Sequence, residues 1–117
     1  MSRIVASLGF ALVAAALASQ AQAHAKLVKA DPGDKTSVSA PQALNLQFSE
    51  KLEAKLSGAQ LMKANGDNVP LTSVASGKSI KAMPKTPLAP GAYMVMWFAV
   101  AADDGHRTNG EYNFSVK

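Results

Sequence analysis

Leu44, Leu46 and Phe48 alternate with Asn45, Gln47 and Ser49, the period of two that turns one face of a strand toward a core and the other toward water. Tyr112, Phe114 and Val116 alternate with Glu111, Asn113 and Ser115 in the same way near the end of the chain. Tyr93-Met94-Val95-Met96-Trp97-Phe98 is apolar at every position, which predicts a central strand over residues 92–101 whose outer face is also partly covered, with Trp97 anchoring the core. Residues 25–30, 59–63, 69–74 and 79–83 complete a set of about seven strands. Turn formers separate them at short intervals: Asp31-Pro32-Gly33, Pro41, Asn65-Gly66-Asp67, Pro84, Pro87 and Pro90-Gly91. Asn65-Gly66 signals a hairpin or belongs to a longer loop. No internal repeat and no convincing amphipathic helix is present. The expected fold is all-β: a seven-stranded antiparallel Greek-key β-sandwich of immunoglobulin-like shape.

The first residues break this pattern. Arg3 precedes an apolar, small-residue run over 4–17, and Ala21-Gln22-Ala23 stands just before His24, the layout of a cleaved secretory leader. A spanning helix needs about 20 consecutive apolar residues, whereas Ser7 and Gly9 interrupt this run and Ser19-Gln20 ends it. Residues 1–23 are therefore expected to be removed on export to the periplasm, leaving residues 24–117 as one small domain with one core. The longest apolar run left, residues 93–102, is too short to cross a bilayer as a helix, so the mature chain is expected to be soluble and, by default, monomeric.

Charge and cysteine usage narrow the chemistry. The net charge of +4 falls to +3 once Arg3 leaves, and the lysines stand singly, with no basic run or aromatic interleaving, which argues against a nucleic-acid partner. The chain has no cysteine. That removes a blue-copper thiolate site, an iron–sulfur cluster and a thiol nucleophile.

Two histidines remain, His24 and His106. A cut after Ala23 would free the α-amine of His24, so that amine and Nδ1 could close a six-membered ring on a cation, which an internal histidine cannot do. His106 follows Asp104-Gly105 just beyond the long apolar strand, and Gly105 lets the backbone turn so that carboxylate and imidazole face one point. Taken alone, an Asp-x-His pair is more often a hydrogen-bonded turn. Joined to His24 it supplies an amine, two imidazoles and a carboxylate, a donor set suited to tetragonal Cu(II) and also to tetrahedral Zn(II). Glu50, at the end of the strand 44–49, is either a solvated turn carboxylate or the acceptor that orients a ligand imidazole. Met94 and Met96 share one strand face in an apolar context, where core packing is the commoner role. Met62 and Met83 stand singly, and no thioether site is expected.

These residues, in this order, resemble the CopC-type periplasmic copper-binding and copper-resistance proteins. The likeness runs through His24-Ala25, Ala30-Asp31-Pro32, Ala40-Pro41, Leu46-Gln47-Phe48-Ser49-Glu50, Leu88-Ala89-Pro90-Gly91-Ala92-Tyr93, Val95-Met96-Trp97, Asp104-Gly105-His106, Gly110 and Phe114-Ser115-Val116. It implies a cupredoxin-like or immunoglobulin-like seven-stranded sandwich and one Cu(II) ion held by the amine and imidazole of His24, by Asp104 and by His106, with Glu50 nearby. It also implies a non-enzymatic role in copper sequestration or in delivery to a CopD-like inner-membrane protein. Some relatives carry a methionine-rich Cu(I) loop in the stretch equivalent to residues 78–90, where this chain has only Met83. Two other functions compete: a copper oxidase built on a histidine brace, and a metal-free immunoglobulin-like interaction module.

Overall fold

The computed structural model describes residues 24–117; the expected leader, residues 1–23, lies outside them. Among the described residues there are nine strands: β1 (Leu27–Asp31), β2 (Ser37–Val38), β3 (Leu44–Phe48), β4 (Gly58–Lys63), β5 (Asn68–Val69), β6 (Leu71–Ser76), β7 (Ser79–Pro84), β8 (Gly91–Val100) and β9 (Arg107–Val116). They form a four-stranded sheet in the order β1-β3-β7-β6 and a five-stranded sheet in the order β2-β9-β8-β4-β5. The expected β-sandwich is what the chain forms. Seven of the strands are those the alternation predicts, and the other two are two-residue edges. One of these, β2, pairs with β9 in parallel, the single departure from antiparallel pairing.

Proline explains one difference from expectation. The predicted strand 69–74 is divided at Pro70, which has no N–H to give to a ladder. The residues before it pair with β4 in the five-stranded sheet, and those after it pair with β7 in the other, so Pro70 marks the crossing between sheets. The Asn65-Gly66 turn does close a hairpin between β4 and β5. It does so as a four-residue loop, with Gly66 at φ +93 and its N–H donating to the Lys63 carbonyl at 2.9 Å.

The core is made by the inward halves of these alternations. Leu44, Leu46, Leu61, Ile80 and Val95 are fully buried, with Phe48 and Phe114 beside them. Trp97 packs at the margin of this core rather than its centre, edge-on to Phe48 with ring centroids 5.1 Å apart. Its partner in the β8–β9 register is Gly110, over which the indole lies.

The expectation that Met94 and Met96 pack in the core is corrected. Val95 and Leu61 face each other across β8 and β4 and are buried. The strand period then sends Met62, Met94 and Met96 to the opposite face, where they are half-buried and outside the core. The strand expected at 79–83 is present as Ser79–Pro84, paired on both sides, and it carries Met83.

Tyr112 is the buried polar exception. Its hydroxyl has no hydrogen-bond partner among the described residues, and burial, with the charges of Asp31 and Asp34 behind it, pushes its pKa from 10.0 up to about 12. Because the folded value is the higher, the neutral phenol favours folding fully below about pH 10. That contribution is lost as pH rises toward about 12. Tyr112→Phe is expected to remove this alkaline loss and to raise stability at neutral pH by about 1 kcal/mol, since an unsatisfied buried hydroxyl costs that much or more. Urea unfolding at neutral and alkaline pH measures both, and an unchanged slope above pH 10 would exonerate Tyr112.

Candidate metal centre

The first described residues are fastened to the sandwich through their backbone. Ala25 is buried at 1% exposure, and its carbonyl accepts a hydrogen bond from the Thr108 hydroxyl at 2.8 Å. On the other side, Ser49 accepts from the Lys26 N–H through Oγ at 2.9 Å, and its own N–H donates to the Lys26 carbonyl at 2.9 Å. Thr108 belongs to β9 and Ser49 follows β3, so the clasp draws on both sheets. His24 is thereby held at the end of the sandwich where β8 gives way to β9.

The loop between those strands is tied down as well. Gly105 N–H donates to the Ala101 carbonyl at 2.9 Å and Ala101 N–H to the His106 carbonyl at 3.0 Å, while Ala102 N–H reaches the Lys51 carbonyl at 2.8 Å. Gly105 has φ +71, a conformation that side chains disfavour. It lets the chain reverse between Asp104 and His106, and Asp104 Oδ1 accepts from the His106 N–H at 3.0 Å.

These constraints bring three side chains to one place. One ligand atom each from His24, Asp104 and His106 can be chosen so that all lie within 4.8 Å of one another. His106 Nδ1 is 3.5 Å from Asp104 Oδ2, and the two imidazoles stack at 4.5 Å between centroids with 27° between planes. The His106 side chain is 64% exposed and that of Asp104 28%, so the cluster sits open on the surface. Two imidazoles and a carboxylate at this spacing suit a borderline divalent cation. With Ala23 attached, the His24 nitrogen is an amide and offers no fourth donor.

Glu50 takes a lesser place. It is half-buried just after β3, stands outside the three-residue cluster, and makes no hydrogen bond to either imidazole among the described residues. Thr108 and Ser49 are the residues that sequence reasoning missed. Thr108 falls before the strand that the alternation predicts and Ser49 reads as an ordinary polar strand position, and their partners lie 83 and 23 residues away, distances that no local pattern signals.

Known proteins share both sequence and shape. Residues 27–117 match the family model described as the CopC domain. A protein named copper resistance protein C, from Xanthomonas campestris pv. juglandis, is 44% identical over 116 residues, 91% of each chain. The crystal structure of PcoC, titled a methionine-rich copper resistance protein from Escherichia coli, superimposes with a TM-score of 0.75 at 36% identity, covering 81% of this chain and all of that one. A Bacillus subtilis protein named copper transport protein CutJ is 31% identical over 80% of this chain but only 18% of its own length.

Proposed function

The chain belongs to the CopC family, and from that membership we propose that it is a periplasmic Cu(II) carrier whose single site is completed by its own export. A copper-related function is supported by relatives named for copper resistance or copper transport. The finer reading is that residues 1–23 are removed, that His24 becomes the first residue, and that one Cu(II) is held by its amine and imidazole with Asp104 and His106. The observation that carries it is the approach of His24, Asp104 and His106 to within 4.8 Å.

Holding rather than catalysis follows from the donor count. Amine, two imidazoles and a carboxylate fill a tetragonal plane around Cu(II), leaving no equatorial position for oxygen. That disfavours the oxidase reading, and the convergence of both histidines disfavours a metal-free module. The Bacillus subtilis copper transport protein, in which the stretch similar to this chain is a small part, supports delivery to a CopD-like membrane transporter alongside sequestration. Glu50 keeps its proposed part as an acceptor that orients an imidazole once metal is bound.

The test is to titrate Cu(II) into protein beginning at His24 and into a variant with one alanine ahead of it. The extended form is expected to bind more weakly and with an altered visible spectrum, and affinity in the first form should fall with pH as protons compete for nitrogen donors. Equal affinities and identical spectra would sink the chelate.

A further inference from the structure

Thr108 is the polar exception on the inward series of β9. Tyr112, Phe114 and Val116 of that series are buried, and Gly110 makes room for the Trp97 indole. Thr108 itself is half-buried and stands opposite Ala99, which is 0% exposed. Packing and strand geometry there ask for a β-branched side chain, which valine would supply equally; the hydroxyl serves something else. A hydroxyl has one proton to donate, and the 2.8 Å contact to the Ala25 carbonyl takes it in preference to the 3.5 Å contact to the Ala99 carbonyl.

Ser49 completes the grip from the other sheet. Its Oγ accepts from the Lys26 N–H at 2.9 Å and lies 3.5 Å from the His24 carbonyl oxygen. The peptide unit between Ala25 and Lys26 is thus held at both ends, its carbonyl by Thr108 and its N–H by Ser49. In a chain that begins at His24, the amine and the imidazole are the parts left beyond the clasp. Ordering a loose terminus at the moment of binding costs conformational entropy, and apparent affinity falls with the fraction of molecules already in the competent arrangement.

We propose that Thr108, with Ser49, is a positioning residue for Cu(II): its hydroxyl fixes the backbone of residues 24–26 so that the chelating terminus stands beside Asp104 and His106 before the metal arrives. The proposal rests on the export-completed Cu(II) site described above. Thr108 donates to Ala25 and not to a ligand group, so its loss changes how often the site is assembled and leaves the ligand atoms the same.

The experiment compares protein beginning at His24 with its Thr108→Val, Thr108→Ser and Ser49→Ala variants and with the form extended by one alanine. Competition against a Cu(II) chelator gives the affinity, the visible spectrum reports the ligand set, and hydrogen exchange of the Lys26 amide in metal-free protein reports the clasp. T108V is expected to bind about tenfold more weakly, the lower end of the 10–100-fold range for outer partners of metal sites. Its copper spectrum stays unchanged, and its Lys26 amide exchanges about tenfold faster or more, since the same loosened population governs both. T108S keeps the hydroxyl and restores affinity and protection. S49A breaks the clasp from the other sheet and moves affinity and exchange in the same direction as T108V, again without a spectral change. Wild-type affinity or wild-type Lys26 protection in T108V, an altered spectrum in T108V or S49A, or a T108S protein as weak as T108V overturns the proposal. Equal binding by the alanine-extended form overturns instead the chelate on which the proposal rests, and the exchange of Lys26, measured without copper, tells the two failures apart.

Discussion

Replacing His106 by alanine is expected to lower Cu(II) affinity by about a hundredfold or more while leaving the thermal midpoint almost where it was. Removing an outer-shell partner of a metal ligand already costs 10–100-fold, and His106 is proposed as a ligand itself. Stability should be spared because the side chain is 64% exposed, and substitutions at such surface positions usually stay within about 0.5 kcal/mol. The loop it leaves behind is held by backbone bonds from Gly105, Ala101 and Ala102, none of which needs the imidazole. Competition against a Cu(II) chelator, run beside a melting curve, separates the two effects. Glu50→Gln serves as the graded comparison: it removes a charge but no ligand, so its loss of affinity should be the smaller. An H106A protein that binds copper like the wild type would take His106 out of the site.

Gly110→Ala carries the largest expected cost to the fold. A Cβ at that position would stand 2.6 Å from Trp97 Cζ2 and 2.8 Å from Cε2, well inside contact distance, and the atoms it meets belong to a rigid indole. The ring is also engaged by Phe48, edge-on at 5.1 Å, and Phe48 is 2% exposed, so moving the indole disturbs a core contact. Overpacking of this kind costs about 1–3 kcal/mol, and each kcal/mol lowers the midpoint of a domain this size by about 4–8 °C. Trp97 is the only tryptophan, so its fluorescence reports the displacement directly. A G110A protein with unaltered emission and midpoint would show that the indole is free to move aside.

The strands could be read from the sequence because each carries its own local period. Leu44, Leu46 and Phe48 announce a half-buried strand without reference to anything else in the chain. What could not be read depends on partners. The last strand begins at Arg107 rather than at residue 111 because ten consecutive registers with β8 hold it, although Asn109 and Gly110 obscure the alternation. β2 and β5 are too short to show a period at all. Met94 and Met96 were ambiguous for a related reason: a strand apolar on both faces does not say which face is inside, and only the pairing of Val95 with Leu61 decides it.

The candidate site was legible to the extent that its chemistry is scarce. With two histidines and no cysteine, few donor sets can be written, and His24, Asp104 and His106 do come together. Glu50 was named by its place at a strand end, which says nothing about distance to an imidazole. Thr108 and Ser49 were invisible because a hydroxyl that clasps a backbone carbonyl or N–H leaves no mark on composition or spacing.

That clasp has a consequence for how the protein can change. Thr108 and Ser49 grip main-chain atoms of Ala25 and Lys26, and the buried methyl of Ala25 seals the joint. The side chain of His24 takes no part in any of these bonds. Anchorage and ligation are thus assigned to neighbouring residues rather than shared by one. Substitutions that retune or abolish metal preference at His24, Asp104 and His106 can accumulate on a scaffold whose cohesion they barely touch, so affinity is a trait this sandwich can gain, alter or lose without first risking its fold.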